Sequence, residues 1–319
     1  MTHTVLMGDP KYFSVIGGAN PHTRDRYGRR KRVDRALAIE QWRELRALME
    51  AEGLRVVALP PDPRRPGLVY PANAGFRHGP EFVLSNLIPT RAAEQPVYRR
   101  AVEALGLRTH VIRSRFEGEA DLFPAGDHYL FTYGPIRRQR FVPRLGWPPW
   151  RRIYGFRSEP RALDEIEAIR PLERPVLRVR LTDERYYHGD TCLCSFGPGR
   201  RVLLAYLPAL EPESVRTLRH FFGDRLIELC DDDAALYAAN SFAFENRGRA
   251  RLLMPAGISP RLADAIRAHD TEPLTLDVSE FHKKGGGSVK CMIGDLGKVE
   301  EGVPSGIAAT RRCASSTME

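Results

Sequence analysis

"EFHKKGGGSVKCMIGDL", residues Glu280 to Leu296, places three consecutive glycines and Lys290 just ahead of Cys291. Read plainly, it is a turn followed by a buried thiol. Read chemically, the glycines let the backbone come close to a bound molecule, because no Cβ stands in the way. A thiol nucleophile also needs a base near its sulfur, an acid that orients the base, and room for the attacked carbon. The choice between the two readings rests on whether the rest of the chain supplies those partners.

The chain has 319 residues, 42% of them apolar and 28% charged. That is an ordinary globular composition, long enough to bury a sizeable core. No apolar run reaches the length of a membrane span. "MTHTVLMGDP" (Met1 to Pro10) lacks the basic and apolar regions of a secretion signal. Five cysteines in this length make no disulfide framework, and a reducing cytoplasm is expected. The formal charge of +9 raises the question of nucleic acid. The arginines are spread through apolar-periodic segments and proline-rich loops, without a basic and aromatic platform, so nucleic acid is not expected as a partner. The dense run "RDRYGRRKR" (Arg24 to Arg32) reads as a solvated loop or a lid near an anionic substrate group.

Strand and helix patterns alternate. "THTVLMGD" reads as a strand, "DRALAIEQWRELRALMEAEG" (Asp34 to Gly53) as an amphipathic helix stopped by glycine, and "LRVVALP" as the next strand. "EFVLSNL", "PVYRRAVEALG" (Pro96 to Gly106) and "LRTHVIRS" repeat strand, helix, strand. "DLFPAGDHYLFTYG" reads as a hairpin. The theme returns with a helix over Glu159 to Leu172, paired strands around a Gly-Pro-Gly turn, and a hairpin turning at Asn246 to Gly248. "TEPLTLDVSEF" reads as the last strand, and the pattern after Leu296 is irregular. Hairpins among helices argue against a plain doubly wound sheet.

Three further islands carry polar groups. In "GLVYPANAGF" (Gly67 to Phe76), Asn73 follows a strand signal and is read as a turn residue or a site residue. In "RFEGEADLF" (Arg115 to Phe123), Glu117, Glu119 and Asp121 alternate, which on an extended chain puts them on one face. Such acids are either solvated surface or a cluster that attracts a cation. In "YYHGDTCLC" (Tyr186 to Cys194), His188 and Asp190 share strand parity with Cys192 and Cys194. Zinc is one reading of that set, but two cysteines on a strand lack the intervening turn of a zinc site, and no metal is expected.

Taken in order, "ANP" (Ala19 to Pro21), "ANAG" (Ala72 to Gly75), "FEGEAD", "YGFRS" (Tyr154 to Ser158), "YYHGDT" and "SEFHKKGGGSVKC" resemble the guanidino-group-modifying superfamily. Its members include arginine deiminases, dimethylarginine dimethylaminohydrolases, arginine and succinylarginine dihydrolases, and amidinotransferases. The likeness covers nearly the whole chain. It implies an α/β fold, a five-bladed α/β-propeller (pentein) of pseudo-fivefold ββαβ modules around a central site. One catalytic domain is expected over residues 1–300, with an irregular tail over 301–319.

The resemblance also implies roles. Cys291 resembles the nucleophile, His188 the general acid/base, and Asp190 the carboxylate that holds the guanidino nitrogens. The partner of His188 comes from "FEGEAD". Family members usually show an acid, two small residues and then Asp, whereas counting back from Asp121 reaches Gly118, a departure read as a bulge. Glu117 is the preferred partner, Glu119 the alternative, and Asp121 is assigned to substrate or to the local turn. Arg157 is read as a partner for a substrate carboxylate or as a surface arginine. Asn20 is placed beside the site or in a simple turn. Many deiminases and dimethylarginine hydrolases carry a carboxylate where this chain has Asn73, and with Asn20 this resembles the dihydrolase branch. The expected reaction is hydrolysis of a guanidino C–N bond of arginine or an N-modified arginine, with no metal or organic cofactor. Transfer of the amidino group to an amine is the alternative, followed by a non-catalytic binding relative. The expected partner is a small guanidino molecule, without membrane or nucleic acid, and with room for a homodimer.

Overall fold

One pattern recurs through the computed structural model, which describes residues 2–15, 19–25, 27–147 and 149–299. Two antiparallel strands are followed by a helix and then by a strand parallel to the second. β1 (Thr2–Gly8), α1 (Arg35–Ala51) and β2 (Arg55–Leu59) open the series. Next come β3 (Gly75–His78), β4 (Glu81–Leu84), α2 (Gln95–Glu103) and β5 (Arg108–Val111). The third unit holds β6 (Leu122–Ala125) and β7 (His128–Tyr133). It continues through the hairpin β8 (Arg140–Pro143) and β9 (Trp150–Ile153) to α3 (Arg161–Ile169) and β10 (Val176–Arg180). The fourth has β11 (Leu193–Phe196), β12 (Val202–Ala205), α4 (Pro212–Phe222) and β13 (Leu226–Glu228). After the short α5 (Asp231–Ala235), the fifth has β14 (Phe242–Asn246), β15 (Arg249–Pro255), α6 (Pro260–Arg267) and β16 (Thr271–Leu276). The last strand, β17 (Gly294–Val299), returns to pair antiparallel with β1. The described residues thus form five three-stranded mixed sheets and the two-stranded β8–β9. β17–β1–β2 has the same order as the other four, its antiparallel partner coming from the far end of the sequence.

Local sequence explains the regular elements. Asp34 accepts from the backbone N–H groups of Ala36 and Leu37, capping α1. Ala38, Trp42, Leu45 and Met49 recur at three- and four-residue spacing and form its buried face, packed with Val5, Met7, Val56 and Phe281.

The catalytically interesting residues lie between these elements, in short turns that feed the first strand of a sheet. Pro71–Asn73 precedes β3, Gly118–Ala120 precedes β6, Gly189–Thr191 precedes β11, and Lys290–Met292 precedes β17. Several expectations are corrected here. Glu117, Glu119 and Asp121 do not alternate on a strand, because the chain turns at Gly118–Ala120 and sends the three carboxyl groups to different partners. His188 and Asp190 do not share a strand with Cys192 and Cys194, because β11 begins only at Leu193. Asn73 sits in a turn ahead of a strand, not behind one. β3, the β8–β9 hairpin and β17 were not expected, and β17 carries regular structure past Leu296. The tail assigned to 301–319, with Cys313, lies outside the described residues.

Gly118 accounts for the departure within "FEGEAD". Its φ is +73°, and a Cβ there would stand 2.7 Å from the carbonyl oxygens of Ala72 and Gly75. Only glycine fits that conformation without displacing backbone.

Candidate active site

Four of these turns and the loop at Asn20 meet around a cavity of about 120 Å³, whose walls include Asn20, Asn73, Glu117, Arg157, Tyr187, His188 and Cys291. That space holds several water-sized groups. Among the described residues, no three histidine, cysteine, aspartate or glutamate side chains converge on a metal-sized point. Cys192 and Cys194 turn into the core, where their thiols meet the carbonyls of Gly189 and Ser241.

Cys291 lies in its turn with 3% exposure. Its thiol donates to Asp190 Oδ2 at 3.5 Å and accepts from Asn240 Nδ2 at 3.2 Å. Burial, reinforced by the Asp190 charge, pushes the thiol pKa well above its ordinary value. The glycine run also serves packing: a Cβ on Gly287 would stand 2.8 Å from the Cys291 Cβ, and one on Gly286 would strike the Asn20 amide. Gly285 and Gly287 still line the cavity. Asp190 is buried, and burial raises its pKa to about 6. Its Oδ1 is buried without a hydrogen-bond partner among the described residues.

His188 is bonded through Nε2 to Glu117 Oε2 at 2.8 Å, while its buried Nδ1 has no partner among the described residues. Since Glu117 is ionised, Nε2 carries the proton of that bond. Burial disfavours the imidazolium, but Asp121, Glu117 and Asp190 outweigh it and the His188 pKa is raised. Glu117 is buried as well. Burial opposes its charge, yet His188, Arg157 and Arg91 hold its pKa down to about 2. Its Oε1 accepts from the Ile88 backbone N–H at 3.0 Å, which fixes the carboxylate plane.

The other two acids of this segment face elsewhere. Glu119 accepts from Lys290 Nζ at 2.7 Å and from the Asp295 N–H at 2.6 Å, outside the cavity wall. Burial raises its pKa to about 7. Asp121 accepts from Thr132 Oγ1 and Ser158 Oγ, both at 2.6 Å, and from the Gly189 N–H at 2.9 Å. With both oxygens engaged, Asp121 anchors the turn that presents His188, and a substrate-binding role for it is set aside. Arg157 is no surface arginine, being 2% exposed. Its guanidinium donates to the carbonyls of Tyr154, Gly155 and Ala19, lies over the Tyr187 ring, and stands 3.9 Å from Glu117. Three of its five N–H donors thus go to backbone carbonyls. Asn20 donates to the Gly285 carbonyl at 2.8 Å and to Tyr187 at 3.1 Å, locking the glycine segment. Asn73 donates to the Glu117 carbonyl at 3.3 Å and accepts from Arg91 at 2.6 Å.

Sequence reasoning missed Asn240, Tyr187 and Arg91. Tyr187 adjoins the His188 motif in "YYHGDT", a signal that could have singled it out. Asn240, in "AANSFAF", and Arg91 have no comparable local mark.

Comparison with known proteins bears on this constellation. A family model described as N,N dimethylarginine dimethylhydrolase, eukaryotic, matches residues 157–298. The chain is 29% identical over 91% of its length to N(G),N(G)-dimethylarginine dimethylaminohydrolase of Mycobacterium tuberculosis, covering 84% of that protein. It is 30% identical over 90% of its length to the bifunctional arginine dihydrolase/ornithine cyclodeaminase AgrE of Nostoc sp., spanning 37% of that longer protein. Among solved structures, it superposes on the substrate-bound N-terminal domain of ArgZ, described as an arginine dihydrolase from the Ornithine-Ammonia Cycle in Cyanobacteria. The TM-score is 0.76 at 25% identity, over 92% of this chain and 98% of that one.

Proposed function

We propose that the chain is a cysteine-dependent guanidino hydrolase of the guanidino-group-modifying superfamily, one that hydrolyses arginine through a covalent intermediate on Cys291 and continues to an ornithine-type product. The observation that carries the site assignment is a pair of buried atoms without hydrogen-bond partners among the described residues, Asp190 Oδ1 on the residue that contacts the thiol and His188 Nδ1 on a residue that lines the same cavity as Cys291. A guanidinium supplies the N–H donors that Asp190 lacks, with the charge assistance of an ion pair.

Charge and geometry give the order of events. In the free enzyme the thiol is protonated. A guanidinium beside it adds the positive charge that favours ionisation, so binding and activation are coupled, and the thiol proton is released to solvent as substrate binds. The thiolate attacks the guanidino carbon. His188, protonated and held by Glu117, gives its Nδ1 proton to the departing nitrogen as the C–N bond breaks. An amidino-thioether is left on Cys291. Neutral His188 next takes a proton from water, which attacks the same carbon and releases a ureido product as the C–S bond breaks. Asn73 supports continuation past this stage. Beyond its contacts with Arg91 and the Glu117 carbonyl, the Asn73 amide keeps one N–H and one oxygen lone pair, so it can meet either a guanidinium or a neutral ureido group. Likeness to arginine dihydrolases supports the same reading.

We place the catalytic unit over residues 1–300 as one domain, with its five sheets arranged as propeller blades about the cavity. Cytoplasmic location fits an enzyme that depends on a free thiol. Among the described residues no helix is long and apolar enough to cross a membrane.

Dimethylarginine is the second reading, favoured by the matched family model and the mycobacterial relative. Product mass spectrometry with arginine, succinylarginine and dimethylarginine, ammonia being counted in each, separates them. Arginine should give ornithine with two ammonia molecules and one carbon dioxide. Citrulline that accumulates and is never consumed rejects the two-step reaction. Turnover of dimethylarginine alone returns the enzyme to the second reading. Faster transfer to an added amine than to water rejects hydrolysis.

A further inference from the structure

We propose that Asn240 is a further catalytic residue, whose amide donates to the Cys291 sulfur and stabilises it as the thiolate. The inference rests on the reading of Cys291 as nucleophile. Asn240 is fully buried in the loop that leads into β14, the one sheet entry not matched above to a site residue. Its Oδ1 accepts from the backbone N–H groups of Ser288 at 2.9 Å and Cys291 at 3.1 Å. Its Nδ2 donates to the Asp190 carbonyl at 3.0 Å and to Cys291 Sγ at 3.2 Å. Two N–H donors on one side and a carbonyl on the other leave a single orientation of the amide that satisfies all of them. The Asn240 carbonyl also accepts from the Lys290 N–H at 3.0 Å. One residue therefore clasps the nucleophile's turn and reaches its reactive atom.

The two contacts of the sulfur respond oppositely to loss of its proton. The Asp190 contact exists because the thiol donates, and between a thiolate and a carboxylate it becomes repulsive. The Asn240 contact becomes charge-assisted and strengthens. Lys290 also favours the thiolate, but its ammonium is paired with Glu119. The tyrosines around the site, buried Tyr187 and Tyr237 and partly buried Tyr70, are held neutral by desolvation. Asn240 is thus the neutral donor in direct contact with the sulfur.

Asn240→Asp tests this. It keeps an acceptor for the Ser288 and Cys291 N–H groups and replaces the donor by an oxygen facing the sulfur. Asn240→Ala removes both functions. The readout is iodoacetamide alkylation of Cys291, followed by peptide mass spectrometry across a pH series, beside kcat and KM for arginine. For Asn240→Asp we expect an alkylation profile displaced to higher pH and a rate at neutral pH about ten- to hundredfold below wild type. kcat should fall by a similar factor with KM little changed, and Asn240→Ala should lie between. A wild-type profile and kcat in folded Asn240→Asp would overturn the proposal. In wild-type protein, the Asn240 side-chain amide resonances should titrate together with alkylation and cease to do so in Cys291→Ser; resonances that do not respond overturn it equally, even if Asn240→Asp fails to fold. Alkylation of another cysteine, with Cys291 left unmodified throughout, would instead refute the nucleophile assignment and the inference with it.

Discussion

Glu117, Glu119 and Asp121 follow one another at alternate positions, yet their surroundings give them three different tasks. Glu117 orients His188, Glu119 balances buried Lys290, and Asp121 fixes the turn at Gly189. Glu117→Gln should lower kcat by about a hundredfold or more, the scale of a lost acid–base partner. Glu119→Gln should hold kcat within about tenfold while lowering the melting temperature, because it leaves a buried ammonium without its counter-charge. The opposite ranking would move the histidine's partner to Glu119. The pH profile carries a second sign. His188 has a raised pKa, so the protonated acid persists above the ordinary histidine range and kcat falls as pH rises through that higher value. Glu117→Gln removes one of the charges that raise it and should move this limb to lower pH. Asn73→Asp should stall the reaction at the ureido product, seen as citrulline accumulation. Legibility at this scale was uneven. His188, Asp190 and Cys291 stand in distinctive short motifs, whereas Asn240 gains its importance only from a contact spanning |i−j| = 51.

Turns carry this site, and they are the elements that residue patterns describe least. α1 is legible because its apolar stripe recurs over 17 residues and begins at a capping aspartate. The turn at Gly118–Ala120 has three residues and no periodicity. Alternating acids around it therefore imitate a strand. The one local clue is Gly118, whose left-handed backbone and close carbonyl neighbours leave no space for a side chain. Gly118→Ala should lower the melting temperature and also reduce kcat, by shifting Glu117 against His188. Thermal melts and steady-state kinetics on the same preparation check this. A variant with lowered stability but unchanged kcat would show that the turn does not set the Glu117 position.

Across the molecule, β17 pairs Val299 with Thr2 and so joins the two ends of the described chain. The repeated strand–helix pattern was legible from alternation, but this closure was not, because register between residues so distant leaves no local trace. Partly buried Asp295 in β17 reinforces it through His3 at 2.7 Å and Arg200 at 3.2 Å. Burial opposes its charge, while His3, Arg200 and Lys290 hold its pKa below the ordinary aspartate range. Its contribution to stability is therefore present above that range and lost as pH falls through the depressed value. Asp295→Asn should lower the melting temperature at neutral pH and flatten its acid decline; parallel melting curves over the pH series would contradict this. The chemistry around which the modules are arranged has a more direct test. Enzyme quenched during turnover of arginine and analysed by intact and peptide mass spectrometry should carry an amidino adduct on the peptide containing Cys291. An adduct on Cys192, Cys194, Cys230 or Cys313, or full turnover by Cys291→Ser, would contradict the covalent mechanism assigned to this site.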